Sequence, residues 1–204
     1  MVHAADCSRR RQICRVLERT RKMAADTVSI PAAEYARIRM LLDRQDIADC
    51  LARIAHGADR FDKAMYLSAC HADAQVSVGG YLSTAEESFE GGSAGHDEGT
   101  ISTNHCLSTS NCDIAGDVAH VETYHIYCAR TRDDTCWAAT GRYIDQFERR
   151  EGNWGLVFRQ ISVEWAGQMT PMELALLADP NEPKHRLSAA RDTSDPSYLR
   201  PLRA

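Results

Sequence analysis

Three stretches late in the chain, Val118 to Cys128, Cys136 to Arg149 and Trp154 to Trp165, alternate apolar and polar residues with a period of two. That period belongs to a half-buried strand. Glu151-Gly152-Asn153 supplies a tight turn between the last two, so these neighbours pair antiparallel. Ahead of them a helical stretch from about Ala32 to Ala58 carries Ile38, Leu41 and Leu42 and then Ile47, Leu51 and Ile54 at helical spacing. A redirection is expected near Asp43 and an end at Gly57. A shorter helix from Lys63 to Ala69, an alternating strand from Gln75 to Leu82 and an acidic, glycine-rich loop from Glu90 to Gly99 fill the interval. Long helices followed by a run of antiparallel strands imply an α+β domain, with helices packed against one face of a curved sheet.

A chain of 204 residues holds one such domain with extensions. The domain is expected over residues 30–170, after a basic N-terminal extension (1–29) and before an extended C-terminal tail (171–204). Residues 1–22 contain seven Lys or Arg against Asp6 and Glu18, a charge of +5; the remainder has 17 basic and 27 acidic residues, a charge of -10. Nucleic acid needs clustered positive charge, so a body this acidic argues against it as a partner. No stretch approaches the roughly 20 apolar residues of a membrane helix. The eight cysteines form no CxxC pair and no export signal precedes them, which implies reduced thiols and a cytoplasmic location. The Cys and His spacing fits no metal site, and no Gly-rich phosphate loop is present. The expectation is therefore a protein without a cofactor.

Several ionisable groups fall where their neighbours are apolar. Asp59 extends the helical stripe of Leu51 and Ala55. Tyr143 shares strand parity with Trp137, Ala139 and Phe147, Arg159 shares it with Val157, Ile161 and Val163, and His125 and Tyr127 lie on one face of an earlier strand. Burying such groups is costly unless they are paired. A pocket containing an acid, a base and a cation accounts for these groups, and for His105, at once. Each residue also has a plainer role: Asp59 as the N-cap of the next helix, a job Asp62 can equally do, Tyr143 as aromatic filler, and Arg159 as a structural ion-pair partner.

The order of these elements, with Gly57-Ala-Asp59-Arg-Phe-Asp62, His71-Ala-Asp73-Ala, Thr103-Asn-His105, Glu122-Thr-Tyr124 and the run from Tyr143 to Trp154, resembles the SnoaL-like branch of the superfamily that includes nuclear transport factor 2 and ketosteroid isomerase. The resemblance runs from about Ile38 to Gln168. It implies a cone-shaped α+β barrel, a curved, mostly antiparallel sheet with helices on its concave side. Within the group the chain is most similar to lyases: hexachlorocyclohexane dehydrochlorinase, scytalone dehydratase and bile-acid 7α-dehydratase. Those enzymes place an Asp at the end of the first long helix and a His on the opposite wall, which fall on Asp59 and His105. The dehydrochlorinase pattern adds an Arg and an aromatic, which fall on Arg159 and Tyr143. The position of His125 is apolar in that enzyme, and a polar wall suits an oxygenated substrate better. The tyrosine that precedes the Asp by five residues in the bile-acid enzyme is Ile54 here.

The resemblance thus implies a cofactor-independent carbon–oxygen lyase, with Asp59 and His105 catalytic and His125, Tyr127, Tyr143 and Arg159 contacting a small hydrophobic substrate such as a hydroxysteroid. An isomerase or cyclase on the same pocket, or a binding module without catalysis, stays open at this level. A homotrimer is implied as well. The last strand is apolar on both parities, and the tail ending Tyr198-Leu-Arg-Pro-Leu202 has anchors spaced to lie across a neighbouring subunit.

Overall fold

The computed structural model describes residues 29–170 and 190–201, so the basic extension and most of the tail lie outside the described residues. The chain divides into two units, Met1–Arg39 and Met40–Ala204. Every feature of the site belongs to the second.

Helix α1 (Ala32–Arg60) runs without a break, where the sequence suggested redirection at Asp43 and an end at Gly57. Asp43 causes no break because its carboxylate accepts from Arg149 Nη1 (2.7 Å) and Trp154 Nε1 (3.1 Å), which satisfies an acid that burial would otherwise penalise. Beyond it Ile47, Cys50, Leu51 and Ile54 form the buried stripe. Gly57 has a packing function instead of a terminating one. A Cβ there would lie 2.7 Å from the backbone nitrogen of Tyr66 and 2.9 Å from the carbonyl oxygen of Asp62, so glycine lets the next helix, α2 (Lys63–Leu67), cross directly over α1.

Strand β1 (Cys70–Val78) is followed by a turn at Gly79 and Gly80, both at positive φ, and then by β2 (Tyr81–Thr84). The single strand expected from Gln75 to Leu82 is therefore a hairpin. Asp73, which reads as a turn residue, lies within β1 and pairs with Arg150 at 2.6 Å. A capping box between Thr84 and Glu87 then opens α3 (Ala85–Gly99), a helix where the glycine content suggested loop. Four long strands complete the domain: β3 (Thr100–Ala115), β4 (Val118–Thr131), β5 (Cys136–Arg150) and β6 (Asn153–Met169).

The sheet order is β2-β1-β6-β5-β4-β3, antiparallel throughout except where β1 runs parallel to β6. The sheet curves but is not closed. One face of β4 to β6 buries Ala119, Val121, Phe147 and Leu156 against the α1 stripe. Phe147 and Leu156 are completely buried, each worth roughly 2–3 kcal/mol of apolar transfer. Among the described residues no helix is long and apolar enough to cross a membrane, and the six described cysteines are free thiols.

Candidate active site

Asp59 sits in the last turn of α1, where the stripe brings it against β3. Its Oδ1 accepts from Nδ1 of His105 (2.7 Å) and from the hydroxyl of Thr103 (3.0 Å), and its Oδ2 accepts from the backbone N–H of His105 (2.8 Å). Burial pushes the Asp59 carboxyl up, but the bonds and charge of His105, with the Thr103 hydroxyl, outweigh it and hold the group below its ordinary range. Capping of α2 falls to Asp62, whose Oδ1 accepts from the Met65 N–H at 2.9 Å. Asp59 is thereby committed to His105. A carboxylate on Nδ1 fixes that nitrogen as the protonated one, so Nε2 carries the free lone pair.

His105 lines a cavity of about 790 Å³. Leu51, Ile54, Val76, Phe89, Leu107 and Ile161 give it apolar walls, and Tyr66, Tyr127, Tyr143 and Arg159 contribute polar groups. Burial pushes each of the three phenols up to about 12, so all are donors across the ordinary pH range. Tyr127 faces His105 across the β3–β4 ladder, with ring centres 4.8 Å apart, and its hydroxyl meets Nε2 of His96 at 3.0 Å. Burial, then the charges of His105 and Arg191, keep the His96 imidazole below its ordinary value.

Arg159 lines the cavity, and its charge is matched by a carboxylate other than Asp59. Register places it opposite Asp145, and the two form a bidentate pair: Nε donates to Oδ1 at 2.8 Å and Nη2 to Oδ2 at 2.7 Å. Burial raises the Asp145 pKa, and the facing guanidinium opposes that rise. The structural ion-pair reading of Arg159 is therefore the one realised, with a second role added. Its guanidinium lies 4.1 Å from the centre of the Tyr143 ring, a cation–π contact.

His125 stacks on the opposite side of this assembly, 4.0 Å from the Tyr143 ring at an interplanar angle of 4°. It is not among the residues that line the cavity; it backs the tyrosine that does. Its Nδ1 is buried with no hydrogen-bond partner among the described residues. Burial, reinforced by His105 and Arg159, pushes its pKa down to about 4, so it stands as a neutral ring behind Tyr143.

Sequence reasoning passed over three contributors. Asp145 shares the parity of Tyr143, and that parity together with the Arg159 register was the available signal. Thr103 lies two residues before His105 on the same strand face. His96 sits in a glycine-rich segment that carries no periodic signal at all. Among the described residues, no three His, Cys, Asp or Glu side chains are grouped to hold a metal ion.

The model of a SnoaL-like domain matches residues 39–160. Among solved structures, a hexachlorocyclohexane dehydrochlorinase of type 2 superposes with a TM-score of 0.62 at 15% identity, covering 72% of this chain and 99% of its own. A protein assigned as a scytalone dehydratase, from Novosphingobium aromaticivorans, gives 0.57 at 16% identity, covering 65% and 91%. A Kribbella flavida protein gives 0.57 at 17% identity, covering 63% and 95%. These likenesses establish a shared fold. No curated protein shows a significant match. With the family model spanning more than half of the chain, the protein belongs to the SnoaL-like domain family, within the superfamily of nuclear transport factor 2.

Proposed function

We propose that the protein is a lyase that removes water from a hydrophobic alicyclic hydroxy-carbonyl compound, with His105 as base and Asp59 as its partner. The observation that carries this reading is the triply hydrogen-bonded Asp59 behind an imidazole that opens on a largely apolar cavity. Nε2 of His105 takes the proton next to the carbonyl, and the C–H electron pair moves onto the carbonyl oxygen. Asp59 stabilises the imidazolium that results. Collapse of the enolate expels the β-hydroxyl, which leaves as water after taking a proton from a neighbouring phenol or from the imidazolium itself. In this reading Tyr143, with Arg159 against its ring, and Tyr127 are the phenols that take this role.

The site favours an uncharged substrate. Among the described residues that line the cavity, the one guanidinium, Arg159, is already matched by Asp145, so a carboxylate or phosphate on the ligand would meet no spare Arg or Lys charge there. The scytalone dehydratase and dehydrochlorinase likenesses are consistent with elimination chemistry on this fold, and the phenols of Tyr66, Tyr127 and Tyr143 on the cavity wall suit an oxygenated substrate; His125, behind Tyr143, is not part of that wall.

The test is turnover of a panel of neutral β-hydroxy ketones on decalin and steroid frames, followed by mass spectrometry in D₂O. Loss of 18 daltons is expected in the parent, and neither that loss nor deuterium uptake next to the carbonyl is expected in His105→Ala. A product of unchanged mass would make the protein an isomerase. Undiminished turnover in His105→Ala would reject the dyad altogether.

A further inference from the structure

We propose that α3 is the movable wall of the cavity, a helix kept weak in its second half so that an apolar ligand can pass it, and that His96 is the latch that reseats it. The inference is independent of the reaction assigned above.

Four of the fifteen residues of α3 are glycine: Gly91, Gly92, Gly95 and Gly99. Glycine in a helix is normally explained by a close neighbour, as at Gly57. None of these four has one, because a Cβ added at any of them meets nothing within 4 Å. Packing does not require them, yet each of the three interior ones, Gly91, Gly92 and Gly95, lowers the helical equilibrium about five-fold relative to alanine. The buried residues of the helix are Ala85 and Phe89, both in its first half. From Glu90 onward no side chain of α3 is fully buried; Ser93 and His96 are half-buried, and His96 is held by Tyr127.

Polar contacts hold the two ends. Thr84 and Glu87 form the capping box, and Lys63 reaches Glu90 at 2.5 Å. At the far end Arg132 Nε donates to the carbonyl of Glu98 (3.0 Å), and the carbonyl of His96 accepts from Thr100 (2.7 Å) and Arg191 (3.0 Å). The weakest part is the middle, and the middle walls the cavity through Gly91, Gly92, Ser93 and His96. The cavity is also lined by Val78, Tyr81 and Leu82, which are exposed and flank the Gly79-Gly80 turn, an apolar surface open to an arriving ligand. When α3 closes, the imidazole of His96 returns to the Tyr127 hydroxyl beside the dyad.

The experiment uses the full chain, with amide hydrogen exchange over residues 90–99 and stopped-flow binding of 2-naphthol, a flat neutral phenol. In the parent, those amides exchange orders of magnitude faster than the amides of β4 and β5. Gly95→Ala with Gly99→Ala adds methyl groups that do not line the cavity. This variant is expected to slow exchange over 90–99 about five-fold, most of it from the interior Gly95, and to slow association and dissociation of 2-naphthol by a similar factor, leaving Kd unchanged. A purely structural role for the helix would not produce equal kinetic slowing at constant affinity. His96→Ala, which removes the latch, is expected to speed both exchange and ligand release. Exchange over 90–99 as slow as in the sheet, binding kinetics unmoved by the glycine replacements, or absence of saturable 2-naphthol binding would each overturn the proposal.

Discussion

Asp59 and Asp62 lie three residues apart and have divided two tasks that the sequence left open for either. Asp62 caps α2, and its other oxygen accepts from the Tyr198 hydroxyl at 2.7 Å, while Asp59 holds His105. Replacing Asp59 with Asn keeps the size but offers Nδ1 an amide in place of a carboxylate. Turnover of the best substrate is expected to fall by roughly two to four orders of magnitude with little change in melting temperature, checked by steady-state kinetics beside calorimetry. His125 gives a pH signature. Its native pKa of about 4 lies below the value of 6.5 for a free imidazole, so as pH falls the unfolded chain takes up the proton first. Its contribution to stability is complete above about pH 6.5 and is lost progressively towards pH 4, on the order of 3 kcal/mol. Urea unfolding across that window should show the slope in the parent and a clearly smaller one in His125→Phe. At this scale sequence parity picked out Tyr127, Tyr143 and Arg159, which line the cavity, and His125, which does not, while His105 came from the family resemblance. Parity could not assign partners, because pairing depends on strand register, and register put Asp145 and not Asp59 opposite Arg159.

Period and spacing revealed those elements whose stability comes from a buried face. The three late strands and the buried stripe of α1 are of that kind, and they lie where alternation and helical spacing placed them. Elements settled by contacts distant in sequence were misread. Asp43 is compatible with an unbroken helix because of Arg149 and Trp154, more than a hundred residues on, and Gly57 ends nothing because its lack of a side chain serves α2. The glycine-rich segment before β3 is a helix closed by a capping box and by carbonyl contacts from Thr100, Arg132 and Arg191. A direct test of the Gly57 argument is Gly57→Ala. Better helix propensity alone predicts a gain, whereas the close approach of Tyr66 and Asp62 predicts a loss of about 1–3 kcal/mol in chemical denaturation.

At the scale of the whole molecule, the outer face of the sheet carries exposed apolar residues in adjoining positions: Tyr124 and Ile126 on β4, Ile144 on β5 and Trp165 on β6. Ile126, Thr140 and Trp165 form one row across three strands. We propose that this face is where copies of the chain associate, in keeping with the trimer that the family resemblance implies. Light scattering at micromolar concentration should give a multiple of 22.7 kDa, and Ile144→Lys with Trp165→Glu should reduce it to the single-chain mass; a parent already at 22.7 kDa would remove the idea. The described part of the C-terminal segment lies on its own chain. Arg191 packs over Phe61, Asp195 pairs with Arg60 at 3.2 Å and Tyr198 reaches Asp62, all beside the end of α1 that carries Asp59. Asp62 and Tyr198 are 136 positions apart. At ribosomal speeds of about 5–20 residues per second, that separation corresponds to a delay of roughly 7–27 seconds between synthesis of the acid and synthesis of its phenol. During translation, then, the turn next to Asp59 exists for several seconds without its clasp, and a growing chain acquires the finished corner of the candidate site only after all six strands have been made.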